Sequence, residues 1–258
     1  MPTLTLLDYI PLWAVFAATI LLMALSLEIG FRLGSWRKTR SHPEKESSVG
    51  AVVGATLALL GFMLAITFGV AVSRFDMRTG AYLNEIDIIS TTYLRADFLG
   101  EEARNQIRQN LKEYVGVRLH AIDSGDVQGA IKRSEEIHQL MWATATSALQ
   151  ANDSSLPLSL FVESVNELID VHSRRIISGI WLRIPPTIWF VLYAIAFLGM
   201  GEIGYQTALG GSSRTPIGMA LIVSFASILW LIADLDRPHE GLLRVNQQAM
   251  RDLRSSMR

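Results

Sequence analysis

The chain has 258 residues, half of them hydrophobic, with a mean hydropathy of +0.30 and a formal net charge of −1 at pH 7. That is too apolar for an ordinary soluble domain and fits a polytopic membrane protein with a modest soluble part, while the near-zero charge argues against wholesale nucleic-acid binding. The absence of cysteine excludes disulfides, thiolate metal sites and thiol nucleophiles, and leaves the redox compartment open.

In chain order, the first predicted span is Ile10 to Ile29, apolar except for Glu28 near its end. No Lys or Arg precedes it and its apolar stretch is longer than that of a signal peptide, so it is expected to stay as a transmembrane helix. Gly30 to Ser48 contains Arg32, Arg37, Lys38, Arg40 and Lys45 with Pro43 and several serines, and reads as a solvated loop. The second span, Val49 to Val72, carries no ionisable side chain and is long enough, at about 1.5 Å per residue, to cross a hydrocarbon core of about 30 Å. Its small residues Gly50, Gly54, Ala58, Gly61, Ala65 and Gly69 recur in steps of 4, 4, 3, 4 and 4, an eleven-residue repeat close to the helical period. Helices in lipid associate where small residues let backbones approach, so this stripe is expected to face another helix closely. Beside it Ala55, Leu59, Phe62, Ile66, Val70 and Ser73 form a second face, bulky and apolar until its last member, which either packs or lines something.

From Ser73 to Arg183 the chain is polar enough for water and has helical punctuation. One helix continues from the span to about Phe98, with Tyr82, Ile86, Ile89 and Tyr93 at helical spacing, and stops near Gly100. A second, Glu101 to about Ile122, opens with two acidic residues and places Ile107, Leu111, Tyr114, Val115 and Leu119 on one side. Asp123 to Asp126 breaks it; a third runs from about Val127 to Gln150, and a fourth from about Leu158 to Gly179. Two more spans follow, Pro185 to Met200, extending to Ile203 if Glu202 lies at the interface, and Ile217 to Ala233, with Trp181, Trp189 and Trp230 near their ends where aromatic belts form. The tail from Asp234 is expected to be soluble, with one short amphipathic helix.

No segment alternates like a strand. The fold class is therefore all-α, with spans one and two in residues 9–72, a helical soluble region in 73–184, spans three and four in 185–233 and a soluble tail in 234–258. Four spans put both termini on the side of the soluble region, and ten Lys and Arg near the spans on that side against six on the other favour its being cytoplasmic.

Enzymatic motifs are wanting. Gly199-Met-Gly201-Glu-Ile-Gly204 matches a dinucleotide fingerprint literally, but it ends a membrane helix where that motif needs a strand before it and a helix start after it. The five histidines lack metal-site spacing, and no nucleophile elbow or phosphate loop is present, so neither enzyme, cofactor nor metal is expected.

Two stretches carry a resemblance. Leu64 to Glu85, LAITFGVAVSRFDMRTGAYLNE, is similar to the segment of bestrophin anion channels in which the second membrane helix enters the cytosol, and Asp234-Leu-Asp236-Arg237-Pro238-His-Glu-Gly resembles the acidic motif after their last span. The chain is identified as a member of the bestrophin-like domain family of bacterial membrane proteins. Arg74-Phe75-Asp76-x-Arg78, Glu85-x-Asp87, Ser90-Thr91-Thr92-Tyr93-Leu94-Arg95 and Leu235-Asp236-Arg237-Pro238 carry the likeness across Gly50 to Val245.

The resemblance implies a multi-pass protein of the bacterial inner membrane, in contact with lipid and with copies of itself. It implies a pentamer whose second helices surround a pore for chloride or another small anion. The apolar neck would fall on Phe62 and Ile66, with Ala58 one turn further out, and Arg74 and Arg78 would sit at the cytosolic mouth. An apolar ring gates by excluding water, and basic residues raise the local anion concentration. The plainer account makes Phe62 and Ile66 packing residues and Arg74 and Arg78 interfacial anchors. A non-conducting membrane protein whose soluble helices bind a partner is the alternative function. Asp234, Asp236 and Glu240 are too few for a calcium site of six to eight oxygens and are expected to pair with arginines such as Arg237, Arg74 or Arg78, with Pro238 ending the helix.

Overall fold

The computed structural model describes residues 10–40, 46–151, 156–211, 216–237, 242–243 and 245–257, and every element among them is helical. The chain divides into two compact units, Met1–Phe75 with Arg183–Leu243, and Asp76–Leu182 with Arg244–Arg258.

The first unit holds α1 (Leu12–Arg40), the beginning of α2 (Glu46–Arg95), α6 (Pro186–Leu209) and α7 (Pro216–Asp236). These four helices are long and apolar enough to cross a membrane, and the chain is an integral membrane protein. The solvated loop expected from Gly30 onward is absent, because α1 stays helical through Arg40; Lys45, Pro43 and the rest of 41–45 lie outside the described residues. The reason is in the packing of α1 on α6. A Cβ on Gly30 would fall on the Gly201 carbonyl, one on Gly204 would fall on the Leu27 carbonyl, and one on Gly34 would stand 2.6 Å from the Tyr205 carbonyl oxygen. Gly30 and Gly34 are thus contact glycines of a helix, and two glycines of the literal dinucleotide match are their counterparts. Ser26 Oγ donates to the Phe197 carbonyl, and Thr19, whose hydroxyl donates to Val15 O (2.8 Å), accepts from Tyr193 Oη (2.8 Å). α6 also outruns its predicted end, so Glu202 lies within the helix. Trp189, expected in an aromatic belt, is instead buried with its ring 6.3 Å from that of Tyr193, whereas Trp13 and Trp36 of α1 are exposed.

The second unit packs the rest of α2, α3 (Glu101–Ser124), α4 (Val127–Ala151), α5 (Leu156–Ile176) and the tail helix α8 (Gln248–Ser256). The four expected soluble helices are present within a few residues of their predicted ends. A 3-10 turn, Ala96–Phe98, ends α2, and a π-helical turn, Ile177–Trp181, follows α5. Glu101 and Glu102 meet the positive end of the α3 dipole, and Gly125, at φ 76, closes it in the left-handed conformation that glycine adopts without strain. Ile89, Ile107, Leu111, Ile137, Phe161 and Leu168 form the core, joined by Met250 of α8, whose N–H donates to Tyr82 Oη (3.1 Å).

Candidate functional site

α2 is one helix of 50 residues, and its two sides differ within the first unit. Val53, Leu60, Leu64, Thr67 and Ala71 are buried, at the spacing of one helical face. The other side is open: Phe62 is 62% exposed and Ile66 49%, with Leu59, Ala58 and Ala65 exposed beside them. The small-residue stripe lies on this open side. A Cβ on Gly54, Gly61 or Gly69 would meet nothing within 4 Å, and only at Gly50 would it meet a neighbour, Gln206 Nε2 at 2.9 Å. Beyond Gly50, then, the stripe's glycines meet no helix among the described residues of this chain; close glycine packing is made instead by α1 and α6.

The two arginines expected at a pore mouth are both covered at least in part by their own chain. Arg74 is half-buried, with Nη1 3.8 Å from Asp236 Oδ1. Arg78 is only 8% exposed. Asp236, at the end of α7, also accepts from the Ile184 N–H (2.9 Å) and from Arg183 Nε (3.2 Å). Asp234 accepts the N–H groups of Leu242 (2.8 Å) and Leu243 (3.1 Å), one on each carboxylate oxygen. All four oxygens of the two aspartates are engaged, and Arg237 is buried beside them. The Asp236–Arg74 pairing agrees with the structural reading of this motif; Arg183 and the backbone N–H partners were not anticipated. Pro238, His239 and Glu240 lie outside the described residues. Among the described residues no group of three or more His, Asp or Glu is placed to hold a metal ion.

In the second unit the helices bring together a polar cluster that sequence reasoning missed. Glu85 of α2, a member of the Glu85-x-Asp87 motif, is fully buried. Tyr114 Oη donates to its Oε1 (2.5 Å), Arg118 Nε stands 3.5 Å from the same oxygen, and Arg175 donates to Oε2. Because the Tyr114 proton goes to Glu85, the Tyr114–His172 contact (3.2 Å) requires His172 Nδ1 to carry the hydrogen, leaving Nε2 bare. The His138 ring stacks edge-on to that of His172 at 4.8 Å, and Arg175 lies over the Tyr82 ring at 5.2 Å. Burial, reinforced by the charge of Arg118, lowers His138 to about 4; burial, His138 and Arg118 together lower His172 to about 3. Burial also raises Tyr114 to about 12 and lowers Arg175 to about 10. Both imidazoles are therefore neutral at pH 7, and the cluster acts as a charged internal clamp across α2, α3 and α5. Its one sequence signal was Glu85 falling on the apolar phase of Tyr82 and Ile89.

No curated protein matches the chain by sequence. Among solved structures, a bacterial bestrophin homologue from Klebsiella pneumoniae is similar in two crystal structures. A mutant form matches at TM-score 0.65 and 16% identity over 93% of this chain and 97% of that one, and the form solved by Zn-SAD phasing at 0.62 and 14% over 93% and 96%. A further crystal structure described only as a membrane protein matches at 0.65 and 15%, over 95% and 96%. The Bestrophin-like domain family model matches residues 20–250, and the chain belongs to the bestrophin-like family.

Proposed function

We propose that the chain is the subunit of a homo-oligomeric ion channel, a pentamer by analogy with its family, in which α2 from each copy lines a central pathway. The observation that carries this reading is the exposure of Phe62 (62%) and Ile66 (49%) on a helix whose opposite side is buried, next to glycines with open space around them. A second copy of α2 would cover the small-residue stripe closely, as small residues favour in lipid, and leave Phe62 and Ile66 as an apolar neck, with Ala58 one turn further out. An apolar constriction gates by dewetting and acts on ions of either sign, so the sign of the conducted ion is set elsewhere. By analogy with the family we place the chain in the bacterial inner membrane, with the second unit on the cytoplasmic side following the distribution of Lys and Arg.

Native mass measurement in mild detergent tests the assembly, and current through planar bilayers containing the purified protein tests conduction. Replacing both Phe62 and Ile66 with alanine is expected to raise conductance at unchanged oligomer mass. A well-folded oligomer that passes no current would instead make the chain a membrane interaction protein, with its soluble helices as the binding surface.

A further inference from the structure

We infer that the cleft between α1, α2 and α6 holds a membrane lipid with a primary-amine headgroup, its acyl chain on the apolar walls and its ammonium on Glu202. The inference needs only that the chain resides in a membrane and is independent of whether it conducts.

The cleft lies within the first unit, toward the end where α1 and α6 finish and α2 begins, and has a volume of about 300 Å³. Sites that enclose whole small ligands run from about 300 to 1,000 Å³, so this one suits part of a larger molecule such as a single acyl chain. Ile29 and Leu33 of α1, Val52 and Val53 of α2 and Leu198 of α6 make its walls. Gly30 and Gly201 also line it, so the contact that brings the backbones of α1 and α6 together leaves room beside α2. Leu33, Val52 and Leu198 are exposed, which opens the cleft to the side. The medium on the open side of a spanning helix is lipid.

Glu202 is the one carboxylate on these walls, and no Lys, Arg or His stands among the lining residues. It belongs to a helix long and apolar enough to span, about 10 Å before the end of that helix at Leu209. Its Oε2 is closed to solvent and, among the described residues, has no hydrogen-bond partner. Two cations of α1 are engaged elsewhere: Arg32 Nε donates to Glu28 Oε1 (2.7 Å), and Arg40 lies over the Trp36 ring at 4.9 Å. A carboxylate within a span is costly unless a positive charge or hydrogen-bond donors meet it. An alkylammonium supplies one charge and three N–H donors together. Joined to an acyl chain, it matches both the acid and the apolar walls. An anionic headgroup would be repelled by Glu202, and a bare metal cation would leave the walls uncovered.

The test is native mass spectrometry of the purified protein in mild detergent, titrated in turn with phosphatidylethanolamine, phosphatidylcholine and phosphatidylglycerol of the same acyl chains. The expected result is one phosphatidylethanolamine per chain, bound about tenfold more tightly than phosphatidylglycerol. Phosphatidylcholine should fall between them, because its quaternary ammonium carries charge but no N–H. Glu202→Gln should remove the preference and leave the three lipids binding alike. Val52→Trp, which fills the cleft from an exposed position, should weaken all three at unchanged helical content by circular dichroism. Equal binding of the three lipids by the unaltered protein, or a preference that survives Glu202→Gln, overturns the assignment to Glu202. Binding that Val52→Trp leaves untouched puts the lipid elsewhere and overturns the site. Retention of no lipid overturns the inference outright; a fall in oligomer mass on Val52→Trp would then show that a second copy of the chain covers the cleft.

Discussion

In the membrane unit the closest approach is of backbone on backbone, Gly30 on Gly201 and Gly204 on Leu27. In the helical unit around α3 to α5 the innermost atoms are charged, with Glu85 held by Tyr114, Arg118 and Arg175. With the second unit in the cytoplasm, as proposed, the difference follows from the solvent each unit faces. Lipid tails are as apolar as leucine, so helices there gain stability from shape, and shape is most exacting where no side chain intervenes. Water rewards apolar burial, and a core such as Ile107, Leu111, Phe161 and Leu168 is strong enough to carry an ionic cluster whose desolvation it offsets. One unit is thus vulnerable to added volume and the other to unbalanced charge.

The largest expected effect is at Gly30. Gly30→Leu sets a side chain against a carbonyl that cannot give way, so the spans should fail to assemble and the protein should be recovered only as aggregate by size exclusion in mild detergent. Gly61→Leu is the matched control: with open space around Gly61 in the single chain, helical content by circular dichroism should be kept while oligomer mass falls. Next comes Glu85→Leu, which leaves the Arg118 and Arg175 guanidiniums buried without a counter-charge and should cost about 3–5 kcal/mol, read from thermal or denaturant unfolding. Asp236→Asn keeps the shape but weakens the charged contacts to Arg74 and Arg183, a loss of about 1.5–3 kcal/mol by the same measurement. Calcium added to metal-free protein should restore none of it.

The smallest effect near neutrality comes from pH. An unfolded chain protonates His138 and His172 below about pH 6.5, whereas in the fold they resist protonation down to about 4 and about 3. The unfolded state then binds more protons, so stability is full above pH 6.5 and declines as the pH falls toward 4, by up to about 1.4 kcal/mol per pH unit for each ring. Melting temperature against pH checks this, and His138→Gln should flatten part of the decline.

The four spans and the helices of the soluble region were legible because hydropathy and the 3.6-residue period act locally along the chain. Gly30 to Arg40 was misread because arginines and serines weigh as loop when a helix face is judged without its neighbour; α6 supplies the reason for both glycines, and it lies far away in sequence. The α2 stripe was visible as a stripe, but nothing in one sequence says whether the partner of Gly61 is in the same chain. The burial of Arg78 and the pairing of Arg74 with Asp236 were not legible at a mouth position, because the resemblance drew attention to residue type and the partner lies on α7, far away in sequence. The Glu85 cluster needed three helices to be brought together, and only the misplaced polarity of Glu85 on an apolar face hinted at it.

Asp236 touches Arg74, where α2 leaves the first unit, and Arg183 with Ile184, where the chain comes back to it. Roughly a hundred residues lie between those points, and bringing the ends of so long a segment together costs about 4 kcal/mol of loop-closure entropy. The single carboxylate holds both ends at one place, so the segment behaves as an insertion whose length is almost free to change: doubling it would add only about 0.6 kcal/mol. Chains of this architecture can therefore exchange or enlarge the inserted helices while the arrangement of their spans stays fixed.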